Sequence, residues 1–266
     1  MAIISVVILI FLFPFLWVIW TGVDVKNGKK ERMEWKKPSI LLFILLLISA
    51  LISFYFYRNY QLPLFSNSFE TIIGLVLAGV FLVIFSIINI IASIVYKGAP
   101  KSFHNPKGMW IFTGVFCFTI LFFITWVYPF GEKSSYVYRM EVAVQALSES
   151  ETDEEITVLL MNSEKQCVRR KTERCIDEDY QNYFLVKNNL DEEKEVQVRI
   201  RALNTDKEEI KVVDSNIMTL GAGELRLVET EETNDNTSIW SRSTFTTEIR
   251  TSYYEYLFRF RDPSEE

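Results

Sequence analysis

Four long stretches of this 266-residue chain contain no charged side chain, and the rest is short of the residues from which most catalytic and metal sites are built. There is one histidine, His104, beside Pro106 in a basic loop between two hydrophobic runs. A lone histidine there leaves the second half without the base that a Ser-His-Asp or Cys-His site requires. Of three cysteines, Cys117 lies inside a hydrophobic run, so no Cys/His set has zinc-site spacing. The glycine pair Gly221-x-Gly223 lacks the third glycine and following helix of a dinucleotide fingerprint and reads as a turn. The acidic runs Asp177-Glu178-Asp179 and Asp191-Glu192-Glu193 lack the spaced aspartates and glycine of a calcium loop. No catalytic, cofactor or metal residue is therefore expected, and the chain reads as non-enzymatic.

The uncharged stretches are Ile3 to Trp20, Ser39 to Tyr57, Thr71 to Tyr96 and Met109 to Phe130. A helix rises 1.5 Å per residue, so roughly 20 apolar residues cross a hydrocarbon core of about 30 Å. Each stretch is of that order. Aromatic residues near their ends, among them Trp20, Tyr57, Tyr96, Trp110 and Trp126, suit the headgroup region. The first run lacks a basic leader and a small-x-small cleavage site, so it is expected to stay as a helix. Pro14 should kink it.

Charge divides the chain. Residues 1–131 carry 10 Lys/Arg against 4 Asp/Glu, whereas residues 132–266 carry 18 against 30, which sets a domain boundary near Gly131. Nine basic residues lie in the first and third loops and one, Arg58, in the second, so the first and third loops should face the cytoplasm. Both termini and everything after Gly131 then lie outside. The Lys- and Glu-rich, cysteine-poor composition suits a bacterial cell membrane. The acidic half disfavours nucleic acid as a partner.

Within the spans, ion pathways normally show themselves as intramembrane ionisable residues, and here there are none. Ser86, Asn89 and Ser93 share one face of the third helix, and Gly74 and Ala78 form a small-xxx-small pair on it. That face reads as a helix-contact surface first and as a contact with substrate second.

Past Gly131 the pattern turns to alternation. Tyr136, Tyr138, Met140, Val142, Val144 and Ala146 fall on one face of an extended segment, as do Val196, Val198, Ile200 and Ala202. Further strands are expected at Ile156 to Met161, Tyr183 to Lys187, Glu209 to Val213, Glu224 to Val228, Thr244 to Ile249 and Tyr254 to Phe260. About eight short strands in this length predict a β-sandwich. The run Tyr183-Phe-Leu-Val-Lys-Asn188, an alternating strand, then Leu220-Gly-Ala-Gly-Glu224 resembles immunoglobulin-like accessory modules of bacterial envelope proteins. Cys167 and Cys175 flank a basic loop with Arg169, Arg170, Lys171 and Arg174, where a disulfide is expected if that side is oxidising.

The fold class expected is a four-helix transmembrane bundle followed by an immunoglobulin-like β-sandwich. Its expected role is accessory: held in membrane lipids, the chain presents the sandwich to another envelope or membrane protein, and it is compatible with homo-oligomers. The alternative is a subunit of a transporter or export complex whose helices line a path only after oligomerisation.

Overall fold

The computed structural model describes residues 2–32, 34–97, 106–148, 154–171 and 174–263; His104 lies outside them. The chain divides into two compact units, Met1–Ser135 with Asn236–Trp240, and Tyr136–Asp235 with Ser241–Glu266.

Among the described residues, four helical stretches are long and apolar enough to span a membrane: Ile3–Val25, Lys36–Tyr60, Ser68–Val95 and Met109–Gln145. The first three lie in α1 (Ala2–Lys26), α2 (Lys36–Tyr60) and α3 (Ser68–Val95). Pro14 sits within α1, whose buried positions Phe11, Pro14 and Thr21 follow helical spacing. The C-terminus of α2 is closed by Gln61, which takes the left-handed conformation (φ 53°), and its cap N–H bonds the carbonyl of Phe56. α3 starts after Asn67, with Glu70 in its first turn where the helix dipole favours a negative charge.

The fourth stretch departs from the sequence expectation. α4 (Pro106–Phe122) passes through a π turn (Phe123–Val127) into α5 (Tyr128–Ser148), so the helix continues past Phe130 and the strand expected at Tyr136–Ala146 is helical. Pro129 and Gly131 look like stop signals, and both have other uses. Proline lacks an N–H and its ring crowds the carbonyl four residues back, a conflict that the widened π turn immediately before it relieves. Gly131 is a packing residue: a Cβ there would lie 3.3 Å from the Cα of Ile4 in α1. The alternating apolar run also hides a helical face, since Lys133, Tyr136, Val137 and Met140, spaced three, four and seven apart, are all buried. The stretch Met109–Gln145 has 37 residues, about 55 Å of helix at 1.5 Å per residue, well beyond a ~30 Å hydrocarbon core.

The second unit holds two four-stranded antiparallel sheets. In the first, β2 (Arg174–Asn188) is flanked by β1 (Ile156–Lys171) on one side and by β6 (Leu225–Leu227) and β7 (Phe245–Thr247) on the other. In the second, β3 (Lys194–Leu203) is flanked by β8 (Tyr253–Arg261) along its length and by β4 (Glu209–Asp214) and β5 (Met218–Leu220) opposite. The short β5 was not legible in the sequence. Alternating inward side chains of both sheets build one core, with Ile156, Val158, Phe184 and Phe245 from the first and Val196, Val198, Ile200 and Leu220 from the second. Phe184 stacks on Phe245 at 5.4 Å, and Tyr254 meets it edge-on at the same distance. Asn188, fully buried, satisfies its amide on the carbonyls of Glu192, Leu220 and Gly221, and so ties two turns together. Gly223 adopts φ +66° in the turn between β5 and β6, a conformation that glycine reaches without strain.

Candidate functional site

In the first unit a polar cluster forms where α2, α3 and α5 end or begin. Lys133 is 2% exposed, and its ammonium donates to the carbonyls of Pro63 (3.4 Å) and Leu64 (2.9 Å) just beyond α2. The Trp240 ring lies 5.1 Å from the same ammonium, and its indole N–H donates to Glu132 at 3.2 Å. Glu70 accepts the N–H of Ser238 (3.0 Å) and its hydroxyl, while the N–H of Asn67 donates to the Ser238 oxygen (2.9 Å). An Asn-x-x-Glu start normally closes on itself, with the glutamate taking the cap residue's own N–H. Here the Ser238 hydroxyl is inserted between them. The cluster therefore clamps the segment Asn236–Trp240 by charge-assisted bonds. Sequence reasoning passed over Lys133, Glu70 and Trp240; the one signal was the Asn67-x-x-Glu70 spacing before the third span.

The helix face predicted from sequence is distributed as follows. Asn89 is completely buried, and Ser86 and Ser93 are half-buried. Both side-chain polar atoms of Asn89 lack a hydrogen-bond partner among the described residues. Gly74 and Ala78 are buried on the same helix, and a Cβ on Gly74 would lie 2.6 Å from Cγ2 of Ile124 in the π turn. Farther along, Phe81 and Phe85 of α3 meet Phe116 of α4 edge-on at 6.2 and 5.2 Å. Trp126 donates its indole N–H to Ser49 within α2 at 2.9 Å. It is not near a helix end because the helix does not stop at Phe130.

In the second unit β1 and β2 form an unusually long hairpin. Its registered pairs run from Ile156–Asn188 to Lys171–Arg174, with irregularities beside Cys167 and Arg169. The first sheet's third-strand partners reach only as far as Tyr180 on β2, so the outer part of the hairpin is a two-stranded arm. Cys167 and Cys175 are disulfide-bonded across it, with Cα atoms 5.7 Å apart. These two residues, expected to bracket a loop, instead sit within the strands. Val168 and Ile176 are exposed on the arm, and Lys165 and Arg169 pair with Glu178 and Asp177. The acidic run 177–179 thus contributes to ion pairs.

The outer face of the second sheet carries charged cross-strand pairs: Arg199 with Asp214, Arg201 with Glu209 and Glu255, and Arg261 with Glu195. The guanidinium of Arg199 holds the Asp214 carboxyl below its usual range. Between these charges lie shallow clefts bordered by Ile217, Leu257 and Arg259. Among the described residues no three His, Cys, Asp or Glu side chains converge as a metal set would. No protein-family model matches the chain, and no curated protein matches it either.

Proposed function

We propose that this chain is a non-enzymatic multi-pass membrane protein whose sheet unit contacts another membrane or envelope protein through the β1–β2 arm. The observation that carries the reading is the arm itself. A two-stranded ribbon without a core under it is marginal in water. This one is clipped by a disulfide and exposes Val168 and Ile176 beside Arg169 and Arg174. Basic charge at its end suits an acidic partner surface. The disulfide and the nine-to-one distribution of basic loop residues together support a cell membrane location with the sheet unit and both termini outside, in an oxidising compartment. An immunoglobulin-like connectivity is the finer fold reading, supported by β1-β2-β6 in one sheet and β4-β3-β8 in the other.

The test is a photo-crosslinking residue at Val168 or Ile176 in intact cells. One discrete adduct, lost when Cys175→Ser removes the clip, supports the reading; no adduct at either position sinks it. Membrane-impermeant thiol labelling of Lys30→Cys and Asp206→Cys variants checks the orientation, with labelling expected at 206 and not at 30.

A second reading, a transporter or export subunit, draws on the unpaired, buried amide of Asn89. Under it, Asn89→Leu abolishes transport by the assembled complex while the variant still inserts. Unchanged transport removes its motivation.

A further inference from the structure

Leu257, on the outer face of β8, is 72% exposed, more than any other large apolar side chain among the described residues, those of the apolar helices included. It lies at the midpoint of Tyr253–Arg261, a nine-residue strand that pairs with β3 on one side and with no described strand on the other. Long, unpaired, proline-free edges are templates for another strand.

Which backbone groups reach that edge follows from the register. The N–H of Ser215 donates to the carbonyl of Val198, so even-numbered residues of β3 turn their backbone toward β4 and β5. The odd-numbered ones turn toward β8, where each faces an odd-numbered partner. Tyr254, Tyr256, Phe258 and Phe260 therefore direct their N–H and C=O groups to the open edge. Their side chains form a ladder of rings spaced 6.2 to 6.5 Å along the margin of the core, each half-buried.

We propose that the open edge of β8 pairs antiparallel with β8 of a second copy of this chain, about a twofold axis at Leu257. That register matches the strand with itself over its whole length. It sets Glu255 opposite Arg259 of the second copy, twice by symmetry, and Leu257 against Leu257. The hydrogen-bonded pairs are Tyr254 with Phe260 and Tyr256 with Phe258, the residues whose backbone faces the edge. Leu257 falls at a non-hydrogen-bonded position, where side chains approach most closely. The aromatic ladder continues across the seam. Sliding the strands by two residues either way puts Leu257 opposite Glu255 or Arg259 and loses both the apolar contact and the Glu255–Arg259 pairing. Self-complementarity of this kind is what an isologous interface demands, and charge across opposed strands discriminates registers. The pairing does not involve the arm, so it stands or falls independently of the contact proposed above.

The full-length protein in native membranes provides the test. Leu257→Cys, oxidised mildly, is expected to give a covalent product of two 31.2 kDa chains. Tyr253→Cys is expected to give none, because in this register its two copies lie eight residues apart along the strand. Glu255→Arg alone and Arg259→Glu alone each place like charges opposite one another and are expected to lower the Leu257→Cys dimer yield about tenfold. The combined exchange restores the pairs and is expected to restore the yield. Absence of the product, equal crosslinking at 253, a product containing a different protein, or no rescue by the double exchange overturns the proposal.

Discussion

Replacing Gly74 by alanine tests whether α3 depends on close approach to the π turn. Two opposing effects set the magnitude. Alanine in a helix interior gains ~0.5–1 kcal/mol over glycine. The new Cβ would lie 2.6 Å from Cγ2 of Ile124, a branch held at Cβ rather than the end of a flexible chain, so a helix or rotamer must move. Overpacking of this kind costs about 1–3 kcal/mol. Gly79, on the same helix, has nothing within 4 Å of its Cβ position, so Gly79→Ala isolates the propensity gain. The difference between the variants is then the steric cost alone, with Gly74→Ala less stable than Gly79→Ala by about 1–3 kcal/mol. Thermal unfolding of the detergent-solubilised protein, followed by helicity, measures it. Ile124→Leu removes Cγ2 at nearly constant volume, and in the Gly74→Ala background should recover most of the loss, a coupling of about 1 kcal/mol or more. Equal midpoints for Gly74→Ala and Gly79→Ala, or no rescue by Ile124→Leu, would refute the packing argument.

Asn89→Leu should stabilise the solubilised protein by about 1–3 kcal/mol, because it removes two buried polar atoms that have no partner among the described residues; a lower unfolding midpoint would mean the amide is bonded in the membrane. Trp240→Ala should destabilise by about 3–5 kcal/mol through loss of a buried indole and its contacts with Lys133 and Glu132. Calorimetry decides that one, and a loss under 1 kcal/mol would show the clamp to be dispensable. Cys175→Ser should release about 2.5 kcal/mol of loop-closure stabilisation from the loop closed by the two cysteines, which are 8 positions apart in sequence. Amide hydrogen exchange should then speed up in the arm and stay slow in the core strands around Phe184 and Ile200; uniform loss of protection would contradict a separate arm.

What sequence alone determined here are the features that depend on local composition and on strong periodicity. Four charge-free runs of span length were legible as long apolar helices because hydrocarbon admits little else, although the C-terminal end of the fourth was not. Most strands of the sheet unit were legible because half-buried strands alternate with period two, as Val196 to Ala202 do. The turns at Asn188–Asp191 and Gly221–Gly223 announced themselves by residue type. Only tertiary structure decided the rest. Tyr136–Ala146 satisfies both a period-two and a helical reading, and α5 wins because Lys133, Tyr136, Val137 and Met140 find burial on one helical face. Proline and glycine mark helix ends in isolation, yet Pro129 and Gly131 are absorbed by a π turn and by the approach of α1, which no local window contains. The clamp brings Glu70 to Ser238 across 168 positions of sequence, and the open edge of β8 exists only once β3 has been assigned to its other side. Such sites arise from pairing partners, and partners are chosen by the free energy of the whole chain rather than by any segment of it.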